Sequence, residues 1–260
     1  MLKFFGDETG IDGKPATRIS AVAGLIGEER AWGHFDRNWM KVLNSEGIPY
    51  FHAVECERGT ENFYGLDVSK RGHIVDRLIQ AVAGSSLQLC AYAVVVPHFR
   101  AMSEEFRLHY THGHPDIPYY LCLAKTFVAA SHAADGKPST EQIYFLFEKQ
   151  DKFEQEAGAL FREFQKNQFW PNSSRLGDCH FAEKDDIYKY PGLQAADLIA
   201  YESYRHLDNK HFQSNLREEW KVRVAMKVLS KKLGQYGRCY DSEALAILEQ
   251  ERTSIRYSMS

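Results

Sequence analysis

The chain has no long apolar run. Among its 260 residues the longest uninterrupted one is Leu89 to Val96, well short of the ~18 apolar residues that a membrane span requires. Acids at Asp7 and Glu8 come too early for the apolar core of a signal peptide. The expectation is a cytoplasmic protein with no membrane partner. There is no C-x-x-C pair, and the five cysteines (Cys56, Cys90, Cys122, Cys179 and Cys239) are odd in number. This argues against a disulfide framework and against a cysteine zinc site. An excess of positive charge is missing too: 32 basic residues stand against 35 acidic ones, for a net charge of −3, whereas a dedicated non-specific nucleic-acid binder is usually basic. No G-x-S-x-G elbow, H-E-x-x-H pair or dinucleotide fingerprint occurs, which removes support for serine-nucleophile, zinc-protease and nicotinamide chemistry.

What is present is ordinary globular material, 44% hydrophobic and 26% charged. A chain of this size buries roughly three quarters of its unfolded surface. Leu2 to Phe5 and Arg18 to Ile26 read as strands, with Asp12-Gly13 supporting a hairpin between them. Trp32, Phe35, Trp39 and Leu43 recur at helical spacing in Glu28 to Leu43. Val68 to Val82, Tyr119 to Ala133 and Phe153 to Gln165 read as helices; Leu87 to Val96, Gln142 to Phe147 and Cys179 to Ala182 read as strands. Phe51 to Glu57 is ambiguous. Residues 104–118, polar and rich in histidine, read as a loop insertion. Leu193 to Leu207 follows the start signal Pro191-Gly192 as a helix. Leu216 to Leu233 and Ser242 to Gln250 complete a helical extension over residues 208–260. Strands and helices in this order predict one α/β domain over residues 1–260, a mixed sheet flanked by helices on both faces.

Certain acids fall where apolar elements end. Asp7 and Glu8 close the first strand. Glu148 closes the run I-Y-F-L-F, with Asp151 three residues later. Asp197 lies inside L-Q-A-A-D-L-I-A, a helix apolar nearly all round and therefore buried. A lone buried carboxylate costs several kcal/mol unless it is paired, protonated or bound to metal. Carboxylates that share a site raise one another's pKa, and a hard cation, Mg²⁺ or Mn²⁺, relieves that repulsion with oxygen ligands. One or two such ions suit phosphodiester cleavage. Taken singly, Asp7 is as readily a turn acceptor and Glu148 a solvent-facing strand end, whereas pairing with an internal donor accounts less readily for Asp197.

The motifs F-G-D-E-T-G (residues 5–10), F-H-A-V-E (51–55), a strand ending in an acid, and G-L-Q-A-A-D-L-I-A-Y (192–201) together resemble the bacterial family called domain of unknown function 3800. The resemblance covers about residues 1–207. It implies an RNase H-like fold with an acidic metal site in which Asp7 and Asp197 are ligands and Glu148 matches by position. Thr9 stands where the family usually has serine, and Glu148 where aspartate is common.

Further candidates surround this set. His52 and Glu55 lie three apart, His52 as a proton carrier and Glu55 as a fourth acid. Gln194, three residues before Asp197, either orients that carboxylate or touches substrate. The tract H-Y-T-H-G-H (109–114) has zinc-like composition but no matching acid or cysteine. Lys221, Arg223 and Lys227 lie on the basic helix and are candidates for phosphate contact. The leading expectation is a metal-dependent nuclease acting on RNA or DNA. Its catalytic residues are Asp7, Glu148, Asp197 and His52, and its metal ligands come from Asp7, Glu8, Glu148, Asp151 and Asp197. The alternative is a non-catalytic module that binds a protein or nucleic-acid partner.

Overall fold

Alternation in L-K-F-F-G-D-E-T carries the first strand, β1 (Leu2–Thr9), to Thr9, past the point where its apolar run ends. The strand β2 (Ile19–Glu28) returns antiparallel to it, with Leu2 opposite Glu28 and Thr9 opposite Ala21. β2 is buried over nearly its whole length, as a strand covered on both faces must be. β3 (Gln88–Val95) adds antiparallel to β2. On the other side of β1 lies β4 (Ile143–Glu148), parallel to it, and then β5 (Leu176–Ala182), parallel to β4. A short strand, β6 (Gly237–Tyr240), pairs parallel with β3. The six-stranded order is β5-β4-β1-β2-β3-β6. The computed structural model describes residues 1–10, 16–135, 141–216, 223–233 and 236–259. The Asp12-Gly13 turn, Lys221 and most of the segment before Arg223 lie outside these.

Among the described residues ten helices cover the sheet: α1 (Glu29–Ser45), α2 (Ala53–Arg58), α3 (Val68–Ala83), α4 (Val96–Arg100), α5 (Glu104–Tyr110), α6 (Tyr119–Ala133), α7 (Glu154–Lys166), α8 (Pro191–Phe212), α9 (Val224–Leu233) and α10 (Ser242–Met259). Phe4, Phe145 and Phe147 of the sheet pack with α6, α7 and α10 on one face. Ala23, Leu25 and Leu89 pack with α1, α3, α8 and α9 on the other. The expected mixed sheet with helices on both faces is the observed architecture.

Two expectations need correction. Residues 104–118 are not a loop insertion. The run S-E-E-F starts α5, with the Ser103 hydroxyl accepting from Phe106 N–H at 3.1 Å, a standard N-cap. Phe106 is fully buried in the main core. The histidine content drew attention away from this capping signal. Residues 208–260 are not only a helical extension either: Asp208 to Phe212 complete α8, and β6 adds a sheet edge. Four residues give too short a pattern to announce a strand. Phe51 to Glu57 resolves into a connector followed by α2. Among the described residues no helix is long and apolar enough to cross a membrane.

Candidate functional site

β1 and β4 end side by side. Gly6 pairs with Phe147, so the next residues along, Asp7 and Glu148, stand at the C-terminal ends of neighbouring parallel strands. Side chains alternate across a strand. Phe4 therefore joins Phe145 and Phe147 on one face. Phe5 joins Leu146 on the other, which is the face of Asp7 and Glu148.

Asp197 reaches this face from α8. Proline is favoured in a helix's first turn, and here it is Pro191. Next comes Gly192, where an added Cβ would stand 2.6 Å from the Phe5 ring. Glycine thus lets α8 lie directly on β1. Asp197 Oδ2 accepts a 2.7 Å hydrogen bond from Ala53 N–H at the start of α2. No lysine or arginine is among the leading influences on it. The His52 imidazole, when charged, favours its ionised form.

Electrostatics tie the acids together. Burial, followed by the charges of Asp197, Glu8 and Glu148, holds the Asp7 carboxyl well above the usual carboxylate range. Burial is also the main cause that pushes Asp197 up to about 6, with Glu148 and Glu55 adding to it. Glu8 is pushed to about 8 by burial and by Glu148. Its strand position opposite Val22 turns it to the face away from Asp7. There it opposes ionisation of Tyr119 and Cys179, and its Oε2 is buried without a hydrogen-bond partner.

The acids perturb one another without closing on a point. Among the described residues, no three His, Cys, Asp or Glu side chains stand near enough together to hold a metal ion as they are.

The other predicted residues are placed as follows. Asp151 sits in the turn after β4, 95% exposed and 3.9 Å from Lys149, and is not part of the cluster. His52 precedes α2 with its Nδ1 3.5 Å from Glu55. Gln194, expected at the substrate, is fully buried. Its Oε1 accepts from Trp39 Nε1–H at 3.0 Å and Phe51 N–H at 2.9 Å, and its Nε2 donates to the Ile187 carbonyl at 3.2 Å. It clamps three segments onto α8 and does not face solvent. Arg223 is engaged too, gripping the nearly buried Glu202 through Nε at 2.6 Å and a terminal nitrogen at 2.7 Å. Lys227 is exposed. The histidine tract disperses: His112 meets Glu163 at 3.1 Å, while His109 and His114 pack on Tyr110 and Tyr120.

Sequence reasoning missed the bond from Ala53 and the Glu202–Arg223 pair. The second had a signal, since Glu202 follows Asp197 in the same buried helix and a buried acid needs a partner. A cavity of about 640 Å³ opens between α2, α3 and α8 beside Glu57, Arg71, Tyr201 and Arg223; none of Asp7, Glu148 and Asp197 lines it. No known protein family matches the chain, and no curated protein matches it.

Proposed function

We propose that the protein is a divalent-metal-dependent phosphodiesterase, a nuclease acting on RNA or DNA, built on an RNase H-like scaffold of the domain of unknown function 3800 kind. One observation carries the reading: Asp7, Glu148 and Asp197, from β1, β4 and α8, meet electrostatically at one end of one sheet face. The scaffold reading is supported by a sheet in which three antiparallel strands continue into two parallel ones beyond β1. The donor set fits a hard cation: the carboxylates of Asp7, Glu148 and Asp197 are all oxygen and all buried.

In this reading Asp7, Glu148 and Asp197 would hold Mg²⁺ or Mn²⁺. Such an ion, when bound, supplies an activated water and neutralises charge on the phosphodiester. The chain's own groups do the rest. The Ala53 N–H fixes Asp197 Oδ2 and so the orientation of that carboxylate. Gln194 locks α1 and the 51–53 connector to α8, which keeps His52 beside Asp197. His52 offers an imidazole for proton transfer there.

The test is cleavage of labelled single- and double-stranded RNA and DNA in Mn²⁺ by the wild type, Asp7→Asn and Asp197→Asn. Asparagine keeps the acceptor for Ala53 N–H and removes the charge. A metal contribution of several kcal/mol corresponds to a loss of roughly a thousandfold. Undiminished cleavage by both variants would contradict the proposal. The second reading, a non-catalytic module binding a protein or nucleic-acid partner, is favoured by the separation of the acids as they stand. It predicts no cleavage and no response to metal.

A further inference from the structure

We infer that the protein carries a second ligand site, a basic pocket at the β3–β6 edge of the sheet that takes a small phosphate-bearing molecule with an apolar or heterocyclic body, the chemistry of a nucleotide. The pocket is a cavity of about 490 Å³ between the C-terminal half of α8, α9 and strands β3 and β6. That volume lies within the ~300–1,000 Å³ typical of small-ligand sites. It does not involve Asp7, Glu148 or Asp197, so it stands apart from the proposed metal chemistry.

Charge is the first argument. Lys210, Lys227, Arg238 and His206 line the cavity, and among the described residues no aspartate or glutamate does. The chain as a whole is net negative, so composition alone does not place three permanent cations together. None of Lys210, Lys227 and Arg238 forms an ion pair among the described residues; Arg238 lies over the Tyr240 ring, 5.6 Å from its centroid. Lys210 and Lys227 are exposed. They stand at one opening with no acidic side chain in the lining among the described residues, which favours an anion there. Asp241 bears on Cys239 from outside the lining.

Shape and hydrogen bonding are the second. The floor is apolar and cut back to small side chains, with Ala91 and Ala93 on β3 and Leu207 and Met226 on the flanking helices. Two serines also line the cavity, Ser203 and Ser230. Ser203 is nearly buried, and among the described residues its hydroxyl rests only on the Met226 sulfur at 3.9 Å, a weak acceptor that leaves the group open to a stronger one. An apolar floor under a cationic rim recognises a molecule with both characters. A bare phosphate would waste the floor, and a neutral heterocycle would waste the rim.

Isothermal calorimetry on the full chain tests this, at low salt with EDTA present so that no heat comes from metal at the acid cluster. The probes are ATP, AMP, adenosine, inorganic phosphate and a short 5′-phosphorylated oligonucleotide. ATP or AMP is expected to bind at least about tenfold more tightly than adenosine or phosphate alone, a difference of ~1.4 kcal/mol. Lys210→Gln with Lys227→Gln should weaken ATP or AMP by about tenfold or more, and Asp197→Asn should leave it unchanged. Both lysines are exposed, so an unchanged melting temperature will show the fold intact. Ser230→Glu, at another exposed position, is the independent variant and should abolish binding. Absence of ATP and AMP binding at millimolar concentration, undiminished affinity in these variants, or tighter binding of the oligonucleotide than of either mononucleotide would overturn the inference.

Discussion

Replacing Gln194 by leucine removes an amide while keeping much of its volume. Trp39 Nε1–H, Phe51 N–H and the Ile187 carbonyl each lose a partner in a place closed to water. A buried polar group left unsatisfied costs ~1–3 kcal/mol, so the three together come to roughly 3–6 kcal/mol after partial relaxation. Total stabilities are ~5–15 kcal/mol, which makes this a large fraction. At ~2–4 °C per kcal/mol for a domain approaching this size, the melting temperature should fall by roughly 10–15 °C. The assay is urea denaturation followed by circular dichroism, with a thermal melt alongside. Gln194→Glu should be milder at low pH, where a protonated carboxyl both accepts and donates, and more severe once it ionises. A loss under about 1 kcal/mol for Gln194→Leu, with cleavage selectively abolished, would refute the reasoning and return Gln194 to the substrate.

Arg223→Ala strands the Glu202 carboxylate, which is 2% exposed; breaking such a pair costs about 3–5 kcal/mol, and Glu202→Gln with Arg223→Gln should recover part of it in the same denaturation assay. Ser103→Ala should cost about 1 kcal/mol through loss of the α5 cap, whereas a residue in a loose loop would show no effect. In metal-free buffer, stability should fall as pH rises. Asp197 and Glu8 bind protons more tightly folded (about 6 and about 8) than unfolded, near 3.8 and 4.5. The folded state therefore holds the extra protons between those limits and loses that advantage on deprotonation. Thermal melts from pH 4 to pH 9 should show the decline, and Glu8→Gln should flatten its upper part; a rise over this range would contradict the assignment.

The helices with a strong apolar stripe were legible because burial imposes a period that the residues must show. Trp32, Phe35 and Trp39 mark α1 in this way. The placement of Asp7 and Glu148 toward the ends of their strands and of Asp197 inside a buried helix was legible for a related reason, since acids interrupt apolar runs conspicuously. Glu8 was not separable from Asp7, because adjacency in sequence conceals that successive strand residues face opposite ways. The internal contacts of Gln194 and Arg223 were not legible, because polar residues next to a candidate site read alike whether they face substrate or the core. Only the positions of Trp39, Phe51 and Glu202 distinguish the two, and those are contacts distant in sequence. α5 was hidden by the histidines that follow its capping serine, and β6 by its length.

The most direct test of the acid cluster as a cation site is a thermal melt of the wild type and Asp7→Asn with and without Mn²⁺. A ligand that binds only the folded state stabilises it by ~2.7 kcal/mol at a hundred times its Kd, a rise of roughly 5–10 °C here. The account predicts that rise in the wild type and its loss in Asp7→Asn, whose metal-free melting temperature at pH 8 should equal or exceed that of the wild type. An equal rise in both proteins, or none in the wild type at millimolar Mn²⁺, would contradict it.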